Sequence, residues 1–385
     1  MAVTKRSLAE HFRAGGPKRI LSLDGGGVRG VLTLGVLAEI ERLLRQRHQD
    51  SSLLLCDYFD LIAGTSTGAI IAAALAKGMS VADVQELYTN LAQKIFQKTL
   101  FRQGVLRAKY DAAALSNILQ EVFGAETLGS ERLMTGLLIM MKRVDTGSPW
   151  PVSNNPNGKY YDPKKQFTLA NKDYPLWSVV RASTAAPHYF DPEFIRIADA
   201  ADGTSVNGTF VDGGVSTANN PSLVALRFAT LGGYRVNWET GVDKLLLISV
   251  GTGAQNPNRV VSSIAGVAAL NALVGLMDDC NSEVETMMQW LGSTNTGRAI
   301  DREIGDLSAD RFTSGKLLTY QRYNVELSRA KLLELGVDLT GDQMTDVQEM
   351  DAPENVPVLA KIGSQLGKAA IDAHFPAAFD LGALR

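Results

Sequence analysis

The stretch Ile20-Leu-Ser-Leu-Asp24-Gly25-Gly26-Gly27-Val28-Arg29-Gly30 sets three consecutive glycines between a short apolar run and a segment of helical periodicity. Lys18 to Leu23 predicts a buried strand. Val31, Leu34, Leu37, Ile40 and Leu44 then recur at the spacing of one helix face. A strand, a glycine turn and a helix in this order point backbone N–H groups and a helix N-terminus at a negative charge. Gly25, Gly27 and Gly30 meet the G-x-G-x-x-G spacing of a dinucleotide-binding turn. The same geometry would hold the oxyanion of an acyl-transfer intermediate. On this stretch alone both readings stand.

The pattern repeats immediately. Tyr58 to Ala63 predicts a second apolar strand, Gly64-Thr65-Ser66-Thr67-Gly68 a tight turn, and Ala69 to Ala76 the start of a small, apolar helix. Two such units predict a parallel sheet with helices on both faces, hence an α/β fold of three layers, α/β/α, with a mostly parallel central sheet. Further helices are expected at Val81 to Phe96 and Ala112 to Val122, and strands at Gly136 to Val144 and Asp243 to Val250. Asp145 to Lys165 is rich in turn pairs such as Ser148-Pro149 and Asn157-Gly158 and reads as a surface loop. There is no internal repeat. Residues 18–370 read as a single catalytic domain between short tails, 1–17 and 371–385.

A Rossmann unit needs an acidic residue closing the strand after its first helix, about 20 residues past the glycines, to hold the ribose. Here that distance falls in a charged helix with Arg42, Arg45 and Arg47. The next strand ends instead in Gly64-x-Ser66-x-Gly68, the context of a nucleophile elbow. There the two glycines remove side chains that would collide where strand and helix approach. Ser66 then stands at a helix N-terminus, whose dipole favours developing negative charge.

The serine needs a base, and the chain has four histidines. His11 falls in the expected N-terminal tail, His48 on a charged helix end and His374 in the last turns. His188, beside Tyr189 and Phe190, reads as packing rather than catalysis. The better candidate is Asp212 in Thr209-Phe-Val-Asp212-Gly213-Gly214, an acid closing an apolar run, with two glycines that admit other backbone closely. At an ordinary pKa near ~3.9 a carboxylate is a weak base, so burial and strong oxyanion stabilisation are expected to help it.

Composition narrows the alternatives. The 385 residues are 45% hydrophobic and 21% charged, with a net charge of −3 and no basic stripe, so nucleic acid is not an expected partner. Two cysteines, Cys56 and Cys280, form neither a disulfide framework nor a metal set. Neither metal nor cofactor is expected. The N-terminal residues lack an apolar signal core, which makes a cytoplasmic location the expectation. Val260 to Met277 is uncharged for 18 residues, but its serines, asparagine and glycines favour a buried core helix or a lid over a membrane span.

Four blocks together carry a resemblance. Asp24-Gly-Gly-Gly-Val-Arg29-Gly30, Gly64-Thr-Ser66-Thr-Gly68, Ala182-Ser-Thr-Ala-Ala-Pro187, and Asp212-Gly-Gly214 followed by Asn219-Asn220-Pro221 resemble, in order, the sequence blocks of patatin-like phospholipases. Tyr320-Gln-Arg-Tyr323 and Met350-Asp-Ala-Pro-Glu-Asn355 are similar to that family's C-terminal segments. The resemblance implies lipid acyl hydrolysis by a Ser-Asp dyad through an acyl-enzyme, without calcium. Ser66 would be the nucleophile and Asp212 the general base, with the backbone of Gly25, Gly26 and Gly27, aided by Arg29, as the oxyanion hole. The expected partners are a phospholipid or other acyl lipid and a transient membrane surface. His188 departs from the family pattern and leaves a histidine-assisted variant open. The resemblance also raises an alternative, the same hydrolase gated by a small-molecule activator such as a cyclic nucleotide in bacterial anti-phage defence. A remoter one is a storage protein with vestigial activity.

Overall fold

A computed structural model of the chain describes residues 5–95, 112–163, 168–187, 189–254, 265–310 and 315–382. Its strands are β1 (Lys18–Leu23), β2 (Leu61–Thr65), β3 (Gly136–Arg143), β4 (Ser148–Ser153), β5 (Glu193–Asp199), β6 (Ser205–Asp212), β7 (Leu245–Val250), β8 (Gly292–Ser293) and β9 (Leu318–Tyr323). The helices are α1 (Leu8–Phe12), α2 (Gly30–His48), α3 (Leu55–Tyr58), α4 (Thr67–Ala76), α5 (Val81–Ile95), α6 (Ala112–Phe123), α7 (Leu176–Ser183), α8 (Ser222–Thr230), α9 (Ala265–Leu291), α10 (Arg329–Glu334), α11 (Gly341–Asp346) and α12 (Val356–Gly367).

The strands form one sheet in the order β5-β6-β3-β2-β1-β7-β9-β8, with β4 on the remaining edge of β3. From β3 through β8 every pairing is parallel; β4, β5 and β6 are antiparallel. The central strands are apolar on both faces because helices cover both, as the mostly parallel α/β expectation requires. Leu21, Leu23, Ile62 and Ile248 pack into a core with α2, α4, α5 and α12. Ile20, Leu61, Ala63 and Leu247 pack into a second core under α8 and the C-terminal half of α9.

One feature of the register positions the site. At Met141, β3 pairs with Trp150 of β4 on one edge and with Asp212 of β6 on the other. At Met140 it pairs with Pro151 on one edge and with Thr65 of β2 on the other. Since β4 occupies one edge throughout, β2 and β6 share the opposite edge. They run along it from opposite ends and meet head to head, β2 ending at Met140 and β6 at Met141.

Three expectations are corrected. The loop expected over 145–165 from its turn pairs contains β4, which carries two prolines, Pro149 and Pro151. They are tolerated because β4 pairs on one side only, leaving the proline nitrogens facing away from the ladder. The segment expected as an N-terminal tail carries α1, capped by Ser7, with Phe12 buried and His11 buried against Asp60. At the other end, Phe375 and Phe379 are buried and His374 Nδ1 lies 2.7 Å from the hydroxyl of Tyr323, so 371–382 pack onto the body as well. Among the described residues no helix is long and apolar enough to cross a membrane.

Candidate active site

The turn between β2 and α4 holds Ser66 at φ 53° and ψ −122°, a conformation that costs an L-residue on the order of 1–3 kcal/mol and persists only where its surroundings enforce it. The enforcement is steric and polar. A Cβ on Gly64 would meet the carbonyl oxygen of Gly68 at 2.2 Å, and one on Gly68 would meet that of Leu23 at 2.2 Å. Thr65 Oγ1 donates to Ala218 O at 2.6 Å, and Thr67 Oγ1 to Gly27 O at 3.0 Å. Ser66 N–H donates to Ser183 Oγ at 2.9 Å, and that hydroxyl donates in turn to Met140 O at 2.5 Å. Ser183 carries no signal of a role in the sequence; in space it clamps the elbow.

The meeting of β2 and β6 sets Ser66 Oγ 2.5 Å from Oδ2 of Asp212. The carboxylate is buried, and its other oxygen accepts the N–H of Gly214 at 2.7 Å. Among the described residues none brings a cation within 4 Å of it. Burial therefore dominates and pushes Asp212 up to about 6, against the hydrogen bonds from Ser66 and Gly214 and the more distant charge of Arg181. Such a carboxylate is ionised at neutral pH and far more basic than an exposed one. His188 lies outside the described residues. His11, with its ring on Asp60 at the start of β2, is at the far end of that strand from Ser66, ~17 Å away at ordinary strand rise.

Opposite the Ser66–Asp212 contact runs the glycine turn. Of the four oxyanion candidates, two are placed for the role. Gly26 and Gly27 line the cavity above Ser66, and their N–H groups find no acceptor among the described residues. Gly25 donates its N–H to Asn219 O at 3.2 Å and lies too deep to line the cavity. Arg29, buried at the start of α2, does not line it either. Gly25 acts through its lack of a side chain, since a Cβ there would fall 2.5 Å from Asn219 Oδ1 and 3.1 Å from Ser66 Cβ. Gly213 likewise leaves room for β3, and Gly30 for Thr67 and Tyr88.

From this polar end an apolar cavity extends between Ile70 of α4, Leu91 and Ile95 of α5, Leu115 of α6 and Phe190. Val274 and Met277 of α9 close one wall, so the helix expected as either core or lid has one face over the cavity. Leu276, next in line, is 60% exposed. Val260, where that expectation began, lies outside the described residues, as do 261–264.

The model of the family described as "Patatin-like phospholipase" matches residues 21–226. A protein named cGAMP-activated phospholipase from Escherichia coli is 33% identical over 214 residues, which cover 54% of this chain and 54% of that one. A protein of the same name from Vibrio cholerae is 30% identical over 268 residues, covering 67% and 70%. Patatin-17 from Solanum cardiophyllum is 27% identical over 248 residues, covering 61% and 60%. The matches thus span between about half and 70% of these relatives' own lengths.

Proposed function

Because the chain belongs to the patatin-like phospholipase family, we propose that it is a lipid acyl hydrolase that cleaves fatty-acyl esters with Ser66 as nucleophile and Asp212 as general base. The observation that carries this reading is the 2.5 Å contact between Ser66 Oγ and a buried carboxylate that has no ion-pair partner among the described residues, at the polar end of an apolar cavity.

The chemistry follows from the placement. An acyl chain lies in the cavity and presents its ester carbonyl to the elbow. Asp212 takes the hydroxyl proton as Ser66 Oγ bonds to the carbonyl carbon, and the oxygen that becomes anionic accepts from the N–H groups of Gly26 and Gly27. Collapse breaks the bond to the alcohol, which leaves with the proton from Asp212. Water enters, loses a proton to Asp212 and attacks the acyl-enzyme. The second collapse releases the fatty acid and returns the proton to Ser66. The α4 dipole adds to the stabilisation of negative charge at Ser66. Exposed Leu276 beside the cavity wall supports transient contact with a lipid surface during substrate capture.

The test is release of fatty acid from phospholipid vesicles by the protein and by Ser66→Ala. Activity in the first and not the second is expected; equal rates would refute the assignment.

A gated form of the same hydrolase is favoured by one finding, the name cGAMP-activated phospholipase borne by two of its relatives. On this reading vesicle hydrolysis is low in the purified protein and rises on addition of cGAMP. Full activity without it, unchanged by its addition, would count against gating and leave the hydrolase reading intact.

A further inference from the structure

The last long strand of the parallel core carries a charge that none of the steps above uses. Arg322 of β9 stands opposite Ser249 of β7, and its side chain crosses the width of β7 to reach the end of β1. There Nη1 donates to Oδ1 of Asp24 at 2.9 Å and Nη2 to Oδ2 at 2.6 Å, while Nη1 also donates to Ser249 Oγ at 2.8 Å. Both partners are buried. Burial pushes the Asp24 carboxyl up against the pull of Arg322, while at Arg322 the charge of Asp24 overrides burial and holds the guanidinium above its ordinary value; the two parallel bonds are the geometry of a guanidinium on a carboxylate.

Asp24 is the residue from which the glycine turn departs. Downstream, the turn is held by neutral hydrogen bonds: Gly25 by its N–H to Asn219 O at 3.2 Å and by Thr252 Oγ1 donating to its carbonyl at 3.0 Å, Gly27 O by Tyr88 OH at 2.5 Å and Thr67 Oγ1 at 3.0 Å, and Val28 N–H by Met350 O at 2.8 Å. Upstream, its origin is fixed by a two-pronged charged contact, which restrains rotation as well as distance. A buried ion pair is a poor device for stability, because well-packed apolar residues of the same volume serve as well or better. What it adds here is a defined direction for the chain leaving β1.

We infer that Asp24 and Arg322 are positioning residues for the hydrolysis: their ion pair aims the N–H groups of Gly26 and Gly27 at the developing oxyanion. The inference rests on the reading of Ser66 and the glycine turn proposed above. Neither residue lines the cavity, and Arg322 lies nearly a hundred residues beyond the segment matched by the family model. It gives the C-terminal strand a part in the chemistry.

The experiment compares Asp24→Asn, Arg322→Lys, Arg322→Met and Ser66→Ala with the parent on a soluble fatty-acyl ester. Two ligands are titrated alongside: a fatty trifluoromethyl ketone, which forms an oxyanionic adduct with the serine, and the matching fatty alcohol, which does not. Misdirecting an oxyanion donor is expected to lower kcat of Asp24→Asn by ~10²-fold or more with KM within about threefold. Affinity for the ketone should fall by the same factor and that for the alcohol should hold. Arg322→Lys, which keeps the charge but not the two parallel bonds, should fall between the parent and Arg322→Met. Should Arg322→Met fail to fold, the near-isosteric Asp24→Asn and the charge-preserving Arg322→Lys carry the test. The inference is overturned if folded Asp24→Asn keeps kcat within about threefold, or if ketone and alcohol weaken equally, the sign of a loosened fold. An inactive Ser66→Ala beside an unimpaired Asp24→Asn removes the positioning role alone. A fully active Ser66→Ala removes the proposed function with it.

Discussion

Each end of β2 meets a buried aspartate, and the molecule treats the two in opposite ways. Asp60, just before Leu61, is surrounded by Arg6, His11 at 3.2 Å, Arg19 at 3.3 Å and Lys18 at 3.9 Å, and it also accepts the N–H of Arg19 at 2.9 Å. Asp212, facing Ser66 just after Thr65, has one hydroxyl and one N–H. Burial would raise both carboxyls. At Asp60 the charges of Arg19, Arg6 and Lys18 and the bond from His11 outweigh it and hold the group well below the usual carboxylate range. At Asp212 nothing outweighs it, and the group rises to about 6. The same residue type, equally buried, is held ionised as an anchor where cations surround it, and where they are withheld it gains the basicity that the proposed function asks of Asp212.

The contrast makes the expected outcomes of substitution diverge. Ser66→Ala and Asp212→Asn should each lower kcat by ~10³-fold or more while leaving a cooperative unfolding transition, checked by vesicle hydrolysis alongside thermal melting. Asp60→Asn should do the reverse. Stripping the charge from the middle of that cluster leaves buried cations uncompensated, at a cost of about 3–5 kcal/mol in urea denaturation, with specific activity of the folded protein preserved. A loss of activity in folded Asp60→Asn would blur the distinction between the two ends.

Acid should separate them as well. Only ionised Asp212 can act as base, so kcat should fall below an apparent pKa of about 6 and level off above it. Its folded-state pKa lies above the unfolded value. Its stabilising contribution is therefore complete below the unfolded pKa and is lost as pH rises through about 6. Asp212→Asn should then be more stable than the parent at pH 8, by up to about 3 kcal/mol, with the advantage vanishing near pH 4. Asp60 has the opposite sign. Its folded-state pKa is depressed, so its contribution is present above the unfolded pKa and fades as pH falls. The smallest effect belongs to the cavity wall. Met277→Ala removes apolar contact without touching the dyad, and should raise KM for long acyl chains roughly 3- to 10-fold at unchanged kcat.

Much of this is legible in the sequence. Lys18 to Leu23 coincides with β1, and Ser66 stands in the expected turn between strand and helix, because an apolar run ended by glycines leaves the chain few alternatives; the strand expected from Tyr58 to Ala63 instead runs from Leu61 to Thr65, and Tyr58 closes α3. Asp212 was marked by the glycines behind it. What escaped depended on partners distant in sequence. The prolines of β4 are permitted only by its edge position, which local pattern cannot reveal. The head-to-head meeting of β2 and β6 is a property of β3, and β6 itself begins in an exposed polar stretch without an apolar pattern. For the same reason the sequence does not separate Gly25, Gly26, Gly27 and Arg29 as oxyanion candidates, since only the fold reveals that Asn219 occupies the N–H of Gly25 and leaves those of Gly26 and Gly27 for the proposed role. Arg322 sits in a quoted segment, yet its partner is 298 positions away.

A fluorophosphonate probe asks the deciding question of the dyad, because it reacts only with an activated nucleophile. Mass spectrometry of the labelled protein should place one adduct on Ser66. The labelling rate should drop below pH 6 and collapse in Asp212→Asn. An adduct on another residue, or an Asp212→Asn protein that labels as fast as the parent, would contradict the assignment of a lone buried carboxylate as the base.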